Sequence, residues 1–272
     1  MDFANRMSTG LFNLLVWPLA PLPPVWALTV ISVFAGAVMV WIFGRVSRQE
    51  RIRSVKDRIR GNLFGVRLYQ HEIGVVFRLQ KQIMADTARY MGLSVAPMLV
   101  ILIPMSLIVV QLNLHFASRP LRPGEQAIVR ISVADPTVLA RPISLRGGGS
   151  FVVETPPVRI ASANEAAWRI RAVQPGHHSL KVRIGDQEVE KALDIGNDWR
   201  AVSTLRTANW VDSFLYPSEP RLDPRVGINA VEVSYRPLPL EVLGLSVDWL
   251  VFFFIISVIA GFALKGVFGV QL

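Results

Sequence analysis

The chain has 272 residues, half of them apolar, no cysteine and a formal net charge of +9. Without cysteine it can form no disulfide and no thiolate metal site. The charge is local: residues 45–92 carry 11 basic and 4 acidic side chains, whereas 113–245 carry 16 and 14.

Residues 1–24 precede the first uncharged run, Val25–Gly44. Twenty such residues suffice to cross a hydrocarbon core about 30 Å thick. A cleaved signal peptide fits poorly, because the run is long, starts well inside the chain and is followed rather than preceded by arginines. A second uncharged run is Leu93–Leu112, "LSVAPMLVILIPMSLIVVQL". Its Pro97 and Pro104 predict a kinked helix, since neighbouring helices can satisfy the carbonyls that proline frees. The third run, Val242–Leu264, has one charge, Asp248, and Lys265 follows it. The positive-inside rule then places 45–92 and 265–272 in the cytoplasm, with 1–24 and 113–241 outside a cytoplasmic membrane that the chain crosses three times.

Within 45–92, Ile52, Val55, Ile59, Leu63 and Val66 fall on one stripe of a helix. Ile73, Val76, Phe77, Ile83, Met84 and Met91 form a second. Gly61, Gly65 and Gly74 lie between them and predict a turn. The expected structure is a hairpin zipped along these stripes, each arm continuous with a membrane span. Arg45, Arg48, Arg51 and Arg53 leave the first span. They fix topology, and they also suit contact with ribosomal RNA or anionic lipid, at about 1 kcal/mol per residue near the membrane. No aromatic interleaving or nucleic-acid module accompanies them, and DNA is not an expected partner.

After the second span the pattern changes to period two. "GEQAIVRISV" alternates, as does "AAWRIRAVQPGHHSLKVRIGDQEVEKALDIG", where Trp168, Ile170 and Ala172 alternate with Arg169 and Arg171. Gly185-Asp186 is a two-residue hairpin turn. These strands predict an antiparallel, immunoglobulin-like sandwich over roughly 124–196, followed by a proline-rich extension to 241 with one further strand at 228–235.

Little points to covalent chemistry. The histidines are 71, 115, 177 and 178, and the adjacent pair point to opposite faces of a strand, so no metal site is expected. "LRGGGS" has no following lysine and reads as a flexible loop. No carboxylate stands in a span interior, which argues against a proton-coupled transporter. No enzymatic activity and no cofactor are expected. Ser106, Gln111, Asn113, Ser257 and Lys265 supply polarity at the span edges. They can wet a groove between the helices or bond neighbouring helices, at about 0.6 kcal/mol each.

The order of these segments, carried by "FGRVSRQERIRSVKDRIRGNLFGVRLYQ", "RYMGLSVAPMLVILIPMSLIVVQLN" and "WLVFFFIISVIAGFALKGVFG", resembles the YidC/Oxa-type insertase superfamily, most closely its three-span branch. The resemblance implies an α-helical membrane protein with three transmembrane helices and a cytoplasmic helical hairpin. An extracytoplasmic all-β domain is inserted between the second and third spans. It further implies that the protein assists insertion or assembly of other membrane proteins. Residues 45–92 would meet the ribosome or nascent membrane proteins, and Ser106, Gln111, Ser257 and Lys265 would lie in a substrate groove. The alternative is a non-catalytic scaffold subunit of an envelope complex whose β domain binds an outer protein partner.

Overall fold

A computed structural model describes residues 9–10, 12–47, 49–185 and 187–270. Arg48 and Asp186, named above, lie outside the described residues. The helices used below are α1 (Pro24–Val46), α2 (Gln49–Leu68), α3 (Ile73–Phe116), α4 (Trp210–Leu215) and α5 (Trp249–Leu264). The chain divides into two compact units. One is made of Leu28–Ile108 with the residues from Leu250 onward, the other of the residues up to Ala27 with Val109–Trp249.

The first unit is helical. α1 and α3 are both long and apolar enough to cross a membrane, and α5 is a shorter apolar helix of 16 residues. Pro24 opens α1, where its missing N–H costs nothing because that donor would be unpaired anyway. α1 ends at Val46 and α2 begins at Gln49, so the first hairpin arm is not continuous with its span, contrary to expectation. Neither glycine nor proline marks this break. Ser47, of a residue type that bonds backbone outside helices, is the local signal. The second arm is continuous: α3 runs for 44 residues through Pro97 and Pro104.

The hairpin turn falls at 69–72, between Gly65 and Gly74. Gly61 and Gly65 lie inside α2. A Cβ on Gly65 would stand 3.0 Å from Leu79, so this glycine lets the two arms approach. The arms are joined by charge as well as by apolar contact. Asp86 of α3 is buried and its Oδ1 takes Arg58 of α2 at 3.4 Å and Arg89 at 3.3 Å. α1 and α5 meet through small residues: a Cβ on Gly36 would lie 2.4 Å from the Ser257 carbonyl oxygen, and one on Gly261 3.2 Å from Val40.

The second unit is mostly β. Its strands are β1 (Ser118–Arg119), β2 (Gln126–Val133), β3 (Ile143–Gly147), β4 (Phe151–Val153), β5 (Val158–Ile160), β6 (Glu165–Ala172), β7 (Gly176–Ile184), β8 (Gln187–Ile195), β9 (Leu205–Thr207), β10 (Ile228–Val233), β11 (Arg236–Pro237), β12 (Leu240–Val242) and β13 (Leu245–Val247). One antiparallel sheet has the order β4-β6-β2-β10-β9, with β5 also on β6, and the other has β3-β7-β8. Both contribute to one core, Val129, Ile131, Trp168 and Ile170 from the first and Leu180, Val182, Val189 and Leu193 from the second. The sandwich does not end at 196. β10, from the expected proline-rich extension, lies between β2 and β9, and Leu222, Ile228, Val231 and Val233 join the core. Pro156 and Pro157 separate β4 from β5 and break the sheet edge, a usual defence against pairing with other chains.

The third apolar run is shorter as a helix than its sequence suggested. Residues 240–247 form the hairpin β12–β13, and α5 starts only at Trp249. Leu243 and Gly244 make the two-residue turn with φ of 53° and 82°. Such a turn requires positive φ at both positions, which glycine accepts and leucine resists.

Candidate functional site

The four expected groove residues have separate surroundings. Ser106 donates to the Leu102 carbonyl of its own helix at 2.7 Å. Ser257 is buried on the face of α5 that meets Gly36, and its hydroxyl donates to Phe254 O at 3.0 Å. Lys265 stands 5.4 Å over the Phe262 ring. Gln111 belongs to the other unit, where it is buried and donates to the Thr9 hydroxyl at 3.1 Å. His115, one turn further, lies against Asn13 Oδ1 at 3.1 Å. No hydrogen bond links any two of Ser106, Ser257 and Lys265 among the described residues. Gln111 and Ser257 are buried, Ser106 is half-buried and Lys265 is exposed.

The basic residues are arranged more distinctively. The Arg45 guanidinium stacks 5.4 Å over Trp41 at the end of α1. Arg53 is exposed. Arg51 lies with Arg58 and Arg89 along a groove of about 490 Å³ that Ser54, Val55, Gly92 and Leu93 complete.

The hairpin also exposes large apolar side chains, among them Leu63, Ile73, Phe77, Met84 and Met91 of the expected stripes and Phe64 and Leu68 outside them. Ile52 and Val55, near the N-terminal end of α2, are buried. Toward the turn, Leu63, Phe64, Leu68, Ile73 and Phe77 are exposed, Phe64 at 73% and Phe77 at 69%, as are Met84 and Met91 further along α3. Arg60, Arg67, Arg78 and Lys81 lie among them. Aromatic and methionine side chains in such a setting offer an adaptable apolar contact surface with a basic rim.

The β unit holds a polar cluster whose role is structural. Lys191 occupies an inward position of β8 between Val189 and Leu193 and is fully buried. Its ammonium donates to Ser203 Oγ at 2.6 Å and to Glu219 Oε2 at 2.9 Å. Burial pushes its pKa down, and Glu219 opposes that shift. The Ser203 hydroxyl donates to Glu219 at 3.0 Å and accepts from Ser218 at 2.8 Å. A serine and a lysine at this distance have the composition of a nucleophile and its base. Here, however, the hydroxyl is buried and its bonding capacity is used, so no reacting carbonyl can reach it. The lysine was legible as a charge breaking the alternation of "EVEKALDI".

A second pin lies at the foot of the sandwich. Glu125 takes both guanidinium nitrogens of Arg119 at 2.8 and 2.9 Å, Arg236 at 2.8 Å and the Arg122 backbone N–H at 2.9 Å. The paired Arg119 hydrogen bonds hold its carboxyl below the ordinary carboxylate range. His177 pairs with Asp194 and Arg200, and His178 with the Gln174 carbonyl, so the adjacent histidines have different partners. No group of three or more potential metal ligands occurs among the described residues.

No family model, no curated protein and no solved structure matches this chain.

Proposed function

We propose that the chain is a cytoplasmic-membrane protein whose basic hairpin receives apolar segments of other membrane proteins and assists their insertion or assembly. The observation that carries this reading is the exposed Phe64, Leu68, Ile73 and Phe77 surface, rimmed by arginine and lysine, on a segment that the charge distribution assigns to the cytoplasm. Exposed apolar patches on a soluble arm mark interaction surfaces, and the basic rim suits ribosomal RNA or acidic flanks of a nascent chain.

In this reading α1, α3 and α5 cross the bilayer, and α5 is shorter than the hydrocarbon core is thick. Sixteen residues rise about 24 Å, against a hydrocarbon core of about 30 Å. A short span is accommodated in part by local thinning of the bilayer, which lowers the barrier to a polar segment passing beside it. The β unit fits an immunoglobulin-like sandwich of constant type. β4, β6, β2 and β10 take the positions of its four-strand sheet, β3, β7 and β8 those of its three-strand sheet, and β10 replaces the first strand.

The second reading is a scaffold subunit of an envelope complex. It is favoured by Val152, Val153, Val158 and Ile160, which are exposed on the β4–β5 edge and suit an outer protein partner. In-cell photo-crosslinking from Phe64 and Phe77, with and without puromycin, separates the two. Adducts to many newly made membrane proteins, lost on puromycin release, support reception of nascent chains. A single adduct indifferent to puromycin replaces that reading with the scaffold.

A further inference from the structure

The groove beside the membrane end of the hairpin has a chemistry that reception of apolar segments does not use. Its walls come from two helices: Arg51, Ser54, Val55 and Arg58 from α2, and Arg89, Gly92 and Leu93 from α3. Two of these arginines, Arg58 and Arg89, share one oxygen of a single carboxylate, Asp86, and Arg51 lines the groove with them. Arg51 has no ion-pair partner among the described residues, and the Ser54 hydroxyl is exposed beside it. Gly92 also lines the groove, and a Cβ there would meet nothing within 4 Å.

Its position selects the anion. Leu93 is the first residue of the uncharged run of α3, and Arg89 precedes it by about 6 Å of helix. That is the depth of the polar headgroup layer outside the hydrocarbon core. Because Arg51 and Arg58 line the same groove as Gly92 and Leu93, the α2 arginines stand at this level too, although they lie further along the chain from the first span. A forked guanidinium bonds phosphate oxygens in pairs, and three forks around one opening exceed what topology alone requires.

We propose that Arg51, Arg58 and Arg89, with Ser54, form a site for the phosphate of an anionic phospholipid headgroup. The lipid tails lie along the apolar start of α3. Occupancy holds the membrane end of the hairpin in the headgroup layer and leaves the exposed surface at the hairpin turn free for its client.

The test uses the full chain in mixed micelles of a zwitterionic detergent and phosphatidylglycerol, with retained lipid counted by native mass spectrometry. R51Q removes no hydrogen bond or ion pair seen among the described residues, and G92L adds bulk to the groove lining while keeping every charge. Each is expected to weaken lipid retention about tenfold, the equivalent of one charge-assisted hydrogen bond. R67Q, which removes the same charge outside the groove, is expected to retain lipid as the unaltered chain does. Equal retention by all four proteins overturns the site and leaves only diffuse attraction. Displacement of the lipid by millimolar inorganic phosphate assigns the groove to the free ion instead. Displacement by a short RNA that itself fails to bind R51Q assigns it to RNA, and the lipid proposal falls.

Discussion

The sandwich and the hairpin treat apolar side chains in opposite ways. In the sandwich nearly every second residue of β2, β6, β7 and β8 is buried in one core, and its lysine at an inward position is bonded to Ser203 and Glu219. In the hairpin, Ile52 and Val55 are buried but the phenylalanines and leucines nearer the turn are exposed. A region whose apolar surface is already consumed depends on its own packing. A region whose apolar surface is left open depends on what it meets, and its substitutions should register in association rather than in stability.

The largest expected effect lies in the sandwich. Trp168→Ala removes a side chain buried between both sheets and should cost about 3–5 kcal/mol. Hydrogen exchange in β2 and β6 of the full chain would rise accordingly. Next comes the α1–α5 contact. Gly36→Ala places a methyl group where the Ser257 carbonyl stands and should cost about 1–3 kcal/mol through forced separation of the helices, read as a lowered melting midpoint in detergent.

A smaller effect, confined to acid, belongs to Glu125. Its carboxyl is held below the ordinary range by Arg119, so the folded state binds fewer protons than the unfolded one as pH falls. Its stabilisation is present above the unfolded pKa and is lost as pH drops through the folded value. Glu125→Gln should therefore flatten the acid limb of the stability profile. The smallest effect on stability is expected at the hairpin. Phe64→Ser with Phe77→Ser, both exposed, should shift stability by no more than about 0.5 kcal/mol. The same pair should remove most of the photo-crosslinks that neighbouring positions form. A large loss of stability would mean the hairpin surface is packed after all, and would erase the contrast with the sandwich.

Period-two alternation made β2, β6, β7 and β8 readable because both faces of each strand have different neighbours. β10 was visible as a strand at 228–235, but its place between β2 and β9 depends on long-range pairing that no local pattern encodes. α1 and the second half of α3 were readable from the length of their uncharged runs, and the first half of α3 from its 3.6-residue stripe. The failures are local conflicts. Gly61, Gly65 and Gly74 bracket the turn at 69–72, yet Gly61 and Gly65 both sit inside α2, where Gly65 serves close approach to Leu79. Leu243-Gly244 looks like part of an apolar span because leucine rarely occupies a positive-φ turn. Of the polar residues at the span edges, Ser106 and Ser257 bond the preceding turn of their own helices, a pairing that their polarity in the sequence does not specify. The Arg51–Arg58–Arg89 groove was half visible as charge. Its grouping depends on α2 folding back along α3.

The central claim is that the hairpin and the sandwich lie on opposite sides of a membrane, with the uncharged part of α3 between them. The native chain has no cysteine, so single cysteines report without background. Leu68→Cys and Val152→Cys, both at exposed positions, would be treated with a membrane-impermeant maleimide in sealed right-side-out vesicles and again after lysis. Labelling of the Val152→Cys variant in sealed vesicles and of the Leu68→Cys variant only after lysis is the predicted result. Equal labelling of both in sealed vesicles would contradict it and place the two regions on one side.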